Sequence, residues 1–159
     1  MIVHHDLRKG ENTMAANEVE ILLVEDNPDD IQLTLRELRR HHFANRVQVV
    51  RDGAEALEFI FATGPYGKRD INHQPKMILL DLKLPKVDGL EVLHKLKIDE
   101  GTRSIPVVVL TSSKEELDLV KSYKLGVSNF IAKPLDFDKF ANVASGLGFY
   151  WLLLNRSPQ

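Results

Sequence analysis

The chain has 159 residues, 43% of them hydrophobic, enough for one substantial core, and its formal net charge of −2 excludes a general polyanion binder. There is no cysteine, which excludes disulfides, thiolate metal sites and cysteine nucleophiles and fits a cytoplasmic location. No apolar h-region opens the chain, and the run LGFYWLLL near its end is far too short to span a bilayer, so a soluble protein without a membrane partner is expected.

Residues 1–18 read as a polar tail without periodicity. VEILLV (19–24) is an apolar run of strand type, followed by Glu25, Asp26, Asn27 and Pro28. Asn27 is placed to cap a helix and Pro28 to open it, with Ile31, Leu35 and Leu38 at helical spacing and a basic last turn, RELRRHH. RVQVVRDG (46–53) is a second strand closed by Asp-Gly, and AEALEFIFA (54–62) a short helix ending near Gly64. The loop TGPYGKRDINHQPK (63–76) is rich in Gly, Pro and charge.

The next stretch, MILLDLKLPKVDGLEVL (77–93), runs four apolar residues straight into Asp81 before a loop and a third helix marked by Leu90, Leu93 and Leu96. IPVVVL (105–110) is a β-branched, unalternating strand, which implies burial on both faces. Thr111, Ser112 and Ser113 lead into the helix KEELDLVKSY, with Leu117 and Val120 inward and Gly126 closing it. SNFIAKP (128–134) is a fifth strand, and LDFDKFANVASGL (135–147) a fifth helix with Phe137, Phe140 and Ala144 on one face.

Strands that alternate with helices and are buried on both faces imply an α/β fold with a parallel sheet covered on both sides. Right-handed crossovers favour the flavodoxin-like doubly wound (βα)5 order 2-1-3-4-5 at this size. In such a sheet the chemistry gathers beyond the carboxyl ends of the strands. Strand one delivers Glu25 and Asp26 there, strand three Asp81, strand four Thr111 and Ser112, and strand five Lys133, followed by Pro134. Carboxylates that converge raise one another's pKa unless a cation sits among them, and Mg²⁺ suits a few carboxylates with retained waters. A carboxylate flanked by Mg²⁺, an ammonium and a hydroxyl is suited to accept a phosphoryl group.

These elements, in this order and at these strand ends, resemble the receiver domains of two-component response regulators over about residues 19–145. The resemblance implies that Asp81 is the phosphoacceptor, supplied by a phosphohistidine on a sensor histidine kinase. It implies Mg²⁺ held by Glu25, Asp26, Asp81 and the backbone carbonyl of Lys83, and a Lys133 that pairs with the phosphoryl group. Thr111 and Phe130 would be the switch residues, and the Lys133–Pro134 bond would be cis. Glu25 stands where aspartate is commoner, and Phe130 has no hydroxyl to donate, so any switch there works through packing. The loop at 62–75 is longer than in minimal receivers, and no output domain is expected in 19–159. That pattern resembles the small stand-alone regulators partnered with cyanobacterial phytochromes.

Three other readings compete. A phosphatase of the haloacid-dehalogenase type needs an acid two residues after the nucleophile, where this chain has Lys83. A flavodoxin-type binder needs a phosphate-cradling loop, and EDNPDD is anionic. A receiver-like adaptor that never takes phosphate is opposed by the set Glu25, Asp26, Asp81, Thr111 and Lys133. The histidines show no metal-ligand spacing; His41 and His42 end a helix, where a cation is favourable. Phe149, Tyr150 and Trp151 are consecutive and cannot all face one core from a helix, so either the helix ends early and they fold back as an intramolecular cap under the extra loop, or, as is expected here, the extended fifth helix and its tail form a self-association or kinase-docking surface, a homodimer above all. No nucleic-acid partner is expected.

Overall fold

A computed structural model of the chain describes residues 19–41, 46–123 and 129–148, with 119–123 described by backbone alone. The elements alternate as β1 (Ile21–Val24), α1 (Pro28–Arg40), β2 (Val47–Val50), α2 (Gly53–Phe61), β3 (Met77–Asp81), α3 (Gly89–Ile98), β4 (Val107–Thr111), α4 (Lys114–Tyr123), β5 (Asn129–Ala132) and α5 (Phe137–Gly146). The strands form one parallel sheet in the order β2-β1-β3-β4-β5, as the sequence predicts. No described helix is long and apolar enough to cross a membrane.

The unalternating strands have a direct cause. Successive side chains point to opposite faces, and here both faces are covered. Leu22 and Val24 of β1, with Val107 and Val109 of β4, join one core with Ala56 and Phe59 of α2 and Val92 and Leu96 of α3. Ile21 and Leu23, with Val108 and Leu110, join the other with Ile31, Leu35 and Leu38 of α1 and Phe140 and Ala144 of α5. Each fully buried Leu, Ile, Val or Phe contributes on the order of 1.5–3 kcal/mol by leaving water. β5 lies at the edge and is half open, with Asn129 and Ala132 exposed.

The helix starts follow the sequence closely. Asn27 caps α1 and accepts from the Asp30 N–H at 3.0 Å, and Pro28 takes the first position. Asp52, Asp88 and Asp136 cap α2, α3 and α5 in the same way. The second aspartate of the 77–93 stretch, Asp88, is therefore a cap. The sequence closes α2 near Gly64, whereas it ends at Phe61, with Ala62 in the left-handed region at φ 55°. A 3-10 turn, Gly64–Tyr66, begins the following loop. Leu117 of α4 is half-buried, and Glu116 beside it is the buried residue. α5 closes at Gly146, with Leu147 as its C-cap. The expectations for residues 1–18, His42, Gly126 and Phe149–Leu154, and for the Val120 side chain, lie outside the described residues.

Candidate functional site

The register sets the site. Val24 pairs with Leu80 across β1 and β3, so the next residues, Glu25 just past β1 and Asp81 as the last of β3, stand together at the carboxyl rim. Thr111 pairs with Ala132 across β4 and β5, so Lys133 emerges beside it, its N–H donating to the Thr111 carbonyl at 2.7 Å. The Lys133–Pro134 peptide is cis, as the resemblance implies. A run of core residues thus delivers each polar side chain to the carboxyl rim on a rigid backbone.

Glu25 and Asp81 are buried at 0% and 3% exposure, while Asp26 is exposed. One oxygen from each of Glu25, Asp26 and Asp81 lies within 4.8 Å of the other two. The Lys133 ammonium stands among the carboxylates, 3.2 Å from Glu25 Oε1, 3.0 Å from Asp30 Oδ2 and 3.3 Å from Asp81 Oδ2. Burial pushes the Glu25 carboxyl up to about 8, and its hydrogen bond to Asp81 and the Asp81 charge push the same way. The Lys133 charge and the Asn27 N–H, which donates to Glu25 Oε2 at 3.3 Å, pull against this without prevailing. For Lys133 burial works to lower the pKa, but the Asp30 hydrogen bond and the charges of Asp81 and Glu25 outweigh it, and the ammonium is held above its ordinary value.

This donor set fits a hard divalent cation. Three converging carboxylates, one of them reluctant to ionise without a further positive charge, are oxygen donors of the kind that Mg²⁺ and Mn²⁺ accept. The Lys83 N–H donates to Asp81 Oδ1 at 3.2 Å, so the expected carbonyl ligand belongs to the residue that already steadies Asp81. The loop of Lys83 is seated by glycine. A Cβ on Gly89 would lie 2.5 Å from Leu82 Cα and 2.7 Å from the Asp81 carbonyl, and one on Gly53 would lie 1.8 Å from the Val87 carbonyl.

Thr111 is buried as the last residue of β4 and does not cap the next helix. Ser113 performs that role, its hydroxyl accepting from the Glu116 N–H at 3.2 Å, while Glu116 reaches back to the Ser112 N–H at 3.2 Å and the Ser112 hydroxyl at 2.8 Å. Lys83 Nζ reaches the same carboxylate at 3.2 Å. Burial of Glu116 is outweighed by these donors, and its pKa is held below the ordinary carboxylate value. Phe130 is half-buried against the core on the α2 and α3 side. Sequence reasoning missed Asp30 and Glu116. The signals were present: Asp30 lies one helical turn after Asp26, and Ser113–Glu116 has the spacing of a capping box.

The response regulator receiver domain model matches residues 21–145. The chain is 41% identical over 154 residues to a probable methanogenesis regulatory protein, FilR2 of Methanothrix harundinacea, covering 97% of each. It is 53% identical to the bacteriophytochrome response regulator AtBRR, whose structure superposes with a TM-score of 0.78 over 84% of this chain and 94% of that one. It is 37% identical over 132 residues to response regulator Rcp1 of Synechocystis sp., covering 83% of this chain and 88% of Rcp1. The structure of the Mn(2+)-bound form of Rcp1 matches at 36% identity with a TM-score of 0.66, covering 84% of this chain and 94% of that one.

Proposed function

From membership of the response regulator receiver family, to which this chain belongs, we propose that Asp81 accepts a phosphoryl group from a sensor histidine kinase and that the chain acts as the switch of a phosphorelay. The observation that carries the reading is the buried carboxylate of Asp81 at the end of β3, with the Lys133 ammonium at 3.3 Å and the Glu25 and Asp26 carboxylates beside it. A carboxylate oxygen of Asp81 attacks phosphorus in line, the P–N bond to the donor histidine breaks, and its electron pair stays on the imidazole nitrogen. Glu25, Asp26, Asp81 and the Lys83 carbonyl would hold Mg²⁺, which supplies charge neutralisation to the phosphoryl oxygens when bound. Lys133 pairs with a phosphoryl oxygen, and Thr111 offers its hydroxyl to another. Thr111 and Phe130, on neighbouring strands, then repack toward the pocket.

The partner kinase is of the phytochrome type, a reading supported by the 53% identity to AtBRR, a bacteriophytochrome response regulator. The signal leaves by a change of association, with a homodimer formed through α5 and the segment after it. Residues 19–159 act as one receiver unit, working in the cytoplasm on protein partners and not on nucleic acid. The phosphatase reading is disfavoured by Lys83, which occupies the acid's position and turns to Glu116.

Labelling with acetyl phosphate and Mg²⁺, and with a phosphorylated phytochrome kinase, tests the proposal. Wild type is expected to label and Asp81→Asn to lose the signal, since the amide keeps the shape and is a poor nucleophile. A variant that labels as strongly as wild type sinks the assignment. Labelling of wild type by acetyl phosphate but by no phytochrome kinase sinks only the partner.

A further inference from the structure

The three carboxylates around Lys133 are not equivalent. Glu25 and Asp81 belong, with Asp26, to the trio whose oxygens converge within 4.8 Å. Asp30 does not, yet it makes the shortest of the three contacts, 3.0 Å from Nζ. A divalent cation seated in the trio draws on two of the lysine's three partners and repels the ammonium besides. The contact that stays dedicated to Lys133 is the one to Asp30.

Asp30 is built to hold it. It stands in the first turn of α1, and its N–H is bound by Asn27, whose own N–H donates to Glu25. The helix start, the acidic pair and the lysine anchor are therefore fixed to one another over six residues of sequence. A free lysine has four rotatable bonds and keeps its charge hydrated; this one is 12% exposed, with Asp30 on its more open side at 30%.

We propose that Asp30 is a positioning residue for phosphoryl transfer: it keeps the Lys133 ammonium at the pocket while Glu25 and Asp81 are engaged by the metal, so that the charge is in place for the incoming phosphoryl oxygens. The inference rests on the reading of Asp81 as phosphoacceptor. It goes further, since it assigns a separate carboxylate to the lysine alone.

The test is a double-mutant cycle read by acetyl phosphate labelling at saturating Mg²⁺. Asp30→Ala, and Asp30→Asn as the variant that keeps the shape, are each made in wild type and in Lys133→Ala, with thermal melts to show that all are folded. In wild type the loss of Asp30 is expected to slow labelling about fivefold, the order expected for a charge-assisted hydrogen bond in a partly open site. In Lys133→Ala the same change is expected to alter the rate by less than about twofold, because the group it acts through is gone. Equal slowing in both backgrounds, or wild-type rates in both Asp30 variants, overturns the positioning role while leaving Asp81 in place. Asp81→Asn is labelled alongside as a separate control, and its labelling at the wild-type rate overturns both readings.

Discussion

Glu25 holds a carboxyl group with no solvent contact, and its proton is therefore part of the metal-free fold. Burial pushes it up to about 8 from an ordinary 4.5, so the folded chain binds this proton more tightly than the unfolded one. The stability it contributes is complete below the unfolded value and is lost as pH rises through about 8. In chelator, the unfolding midpoint is expected to fall between about pH 5 and pH 8, and Glu25→Gln, which cannot ionise, to flatten that slope. A Glu25→Gln protein with an unchanged slope would place the titration elsewhere. A cation in the trio needs Glu25 ionised, so Mg²⁺ binding near neutrality should release protons, detectable by calorimetry in buffers of different ionisation heat. Glu116 has the opposite sign: its pKa is depressed, and its contribution, present above the ordinary carboxylate value, is lost as pH falls through the folded one.

Two loops of α/β type carry opposite duties at the two rims of the sheet. The one after β3 must lie flat on Gly53 and Gly89 to bring Lys83 to Asp81. A methyl on Gly53 would meet backbone and not a movable side chain, so Gly53→Ala is expected to cost about 1–3 kcal/mol in denaturant melts and to slow labelling by displacing the loop. The longer loop, 62–75, lies at the far rim, where the strands begin. Buried Arg69 caps the end of α2 there, donating to the Phe59 carbonyl and, at 2.8 Å, to that of His73, with its guanidinium 3.9 Å above the Phe59 ring. Tyr66 packs edge-on to the same ring and donates to Glu55 at 2.6 Å. Arg69→Ala is expected to lower stability by about 2–4 kcal/mol and to raise hydrogen exchange over the loop. The labelling rate should stay within about twofold of wild type, because the groups that Arg69 holds, the Phe59 carbonyl and ring and the His73 carbonyl, lie away from the carboxyl rim; a larger change would tie the two rims together. None of this was legible in the sequence beyond the loop's length, since a cation that caps a helix from ten residues away has no local pattern.

The architecture was legible because a doubly covered parallel sheet writes itself as apolar runs, and each run ends on the residue it delivers. Asp81, Thr111 and Lys133 could be read for that reason, whereas Asp30 and Glu116 act from helix turns and needed the third dimension. What the described body leaves without a role is surface for association. Its exposed large hydrophobics are Leu33, Ile71 and Ile98, on α1, the long loop and the end of α3, and the described part of α5 turns Asp138, Lys139 and Asn142 outward. Single apolar residues on separate elements do not make an interface. The chain's remaining concentration of apolar side chains is Phe149–Leu154, three aromatics followed by three leucines. Aromatic anchors of this kind are common at the centre of protein interfaces. A chain ended after Gly148 is therefore expected to label normally on Asp81 and to sediment as a monomer. The full chain should sediment as a dimer, more strongly so with a phosphoryl analogue bound, and Trp151→Ala and Phe149→Ala should each weaken it. A full chain that stays monomeric at high concentration in every state would remove the dimer. A shortened chain that still dimerises would move the interface onto the polar face of α5.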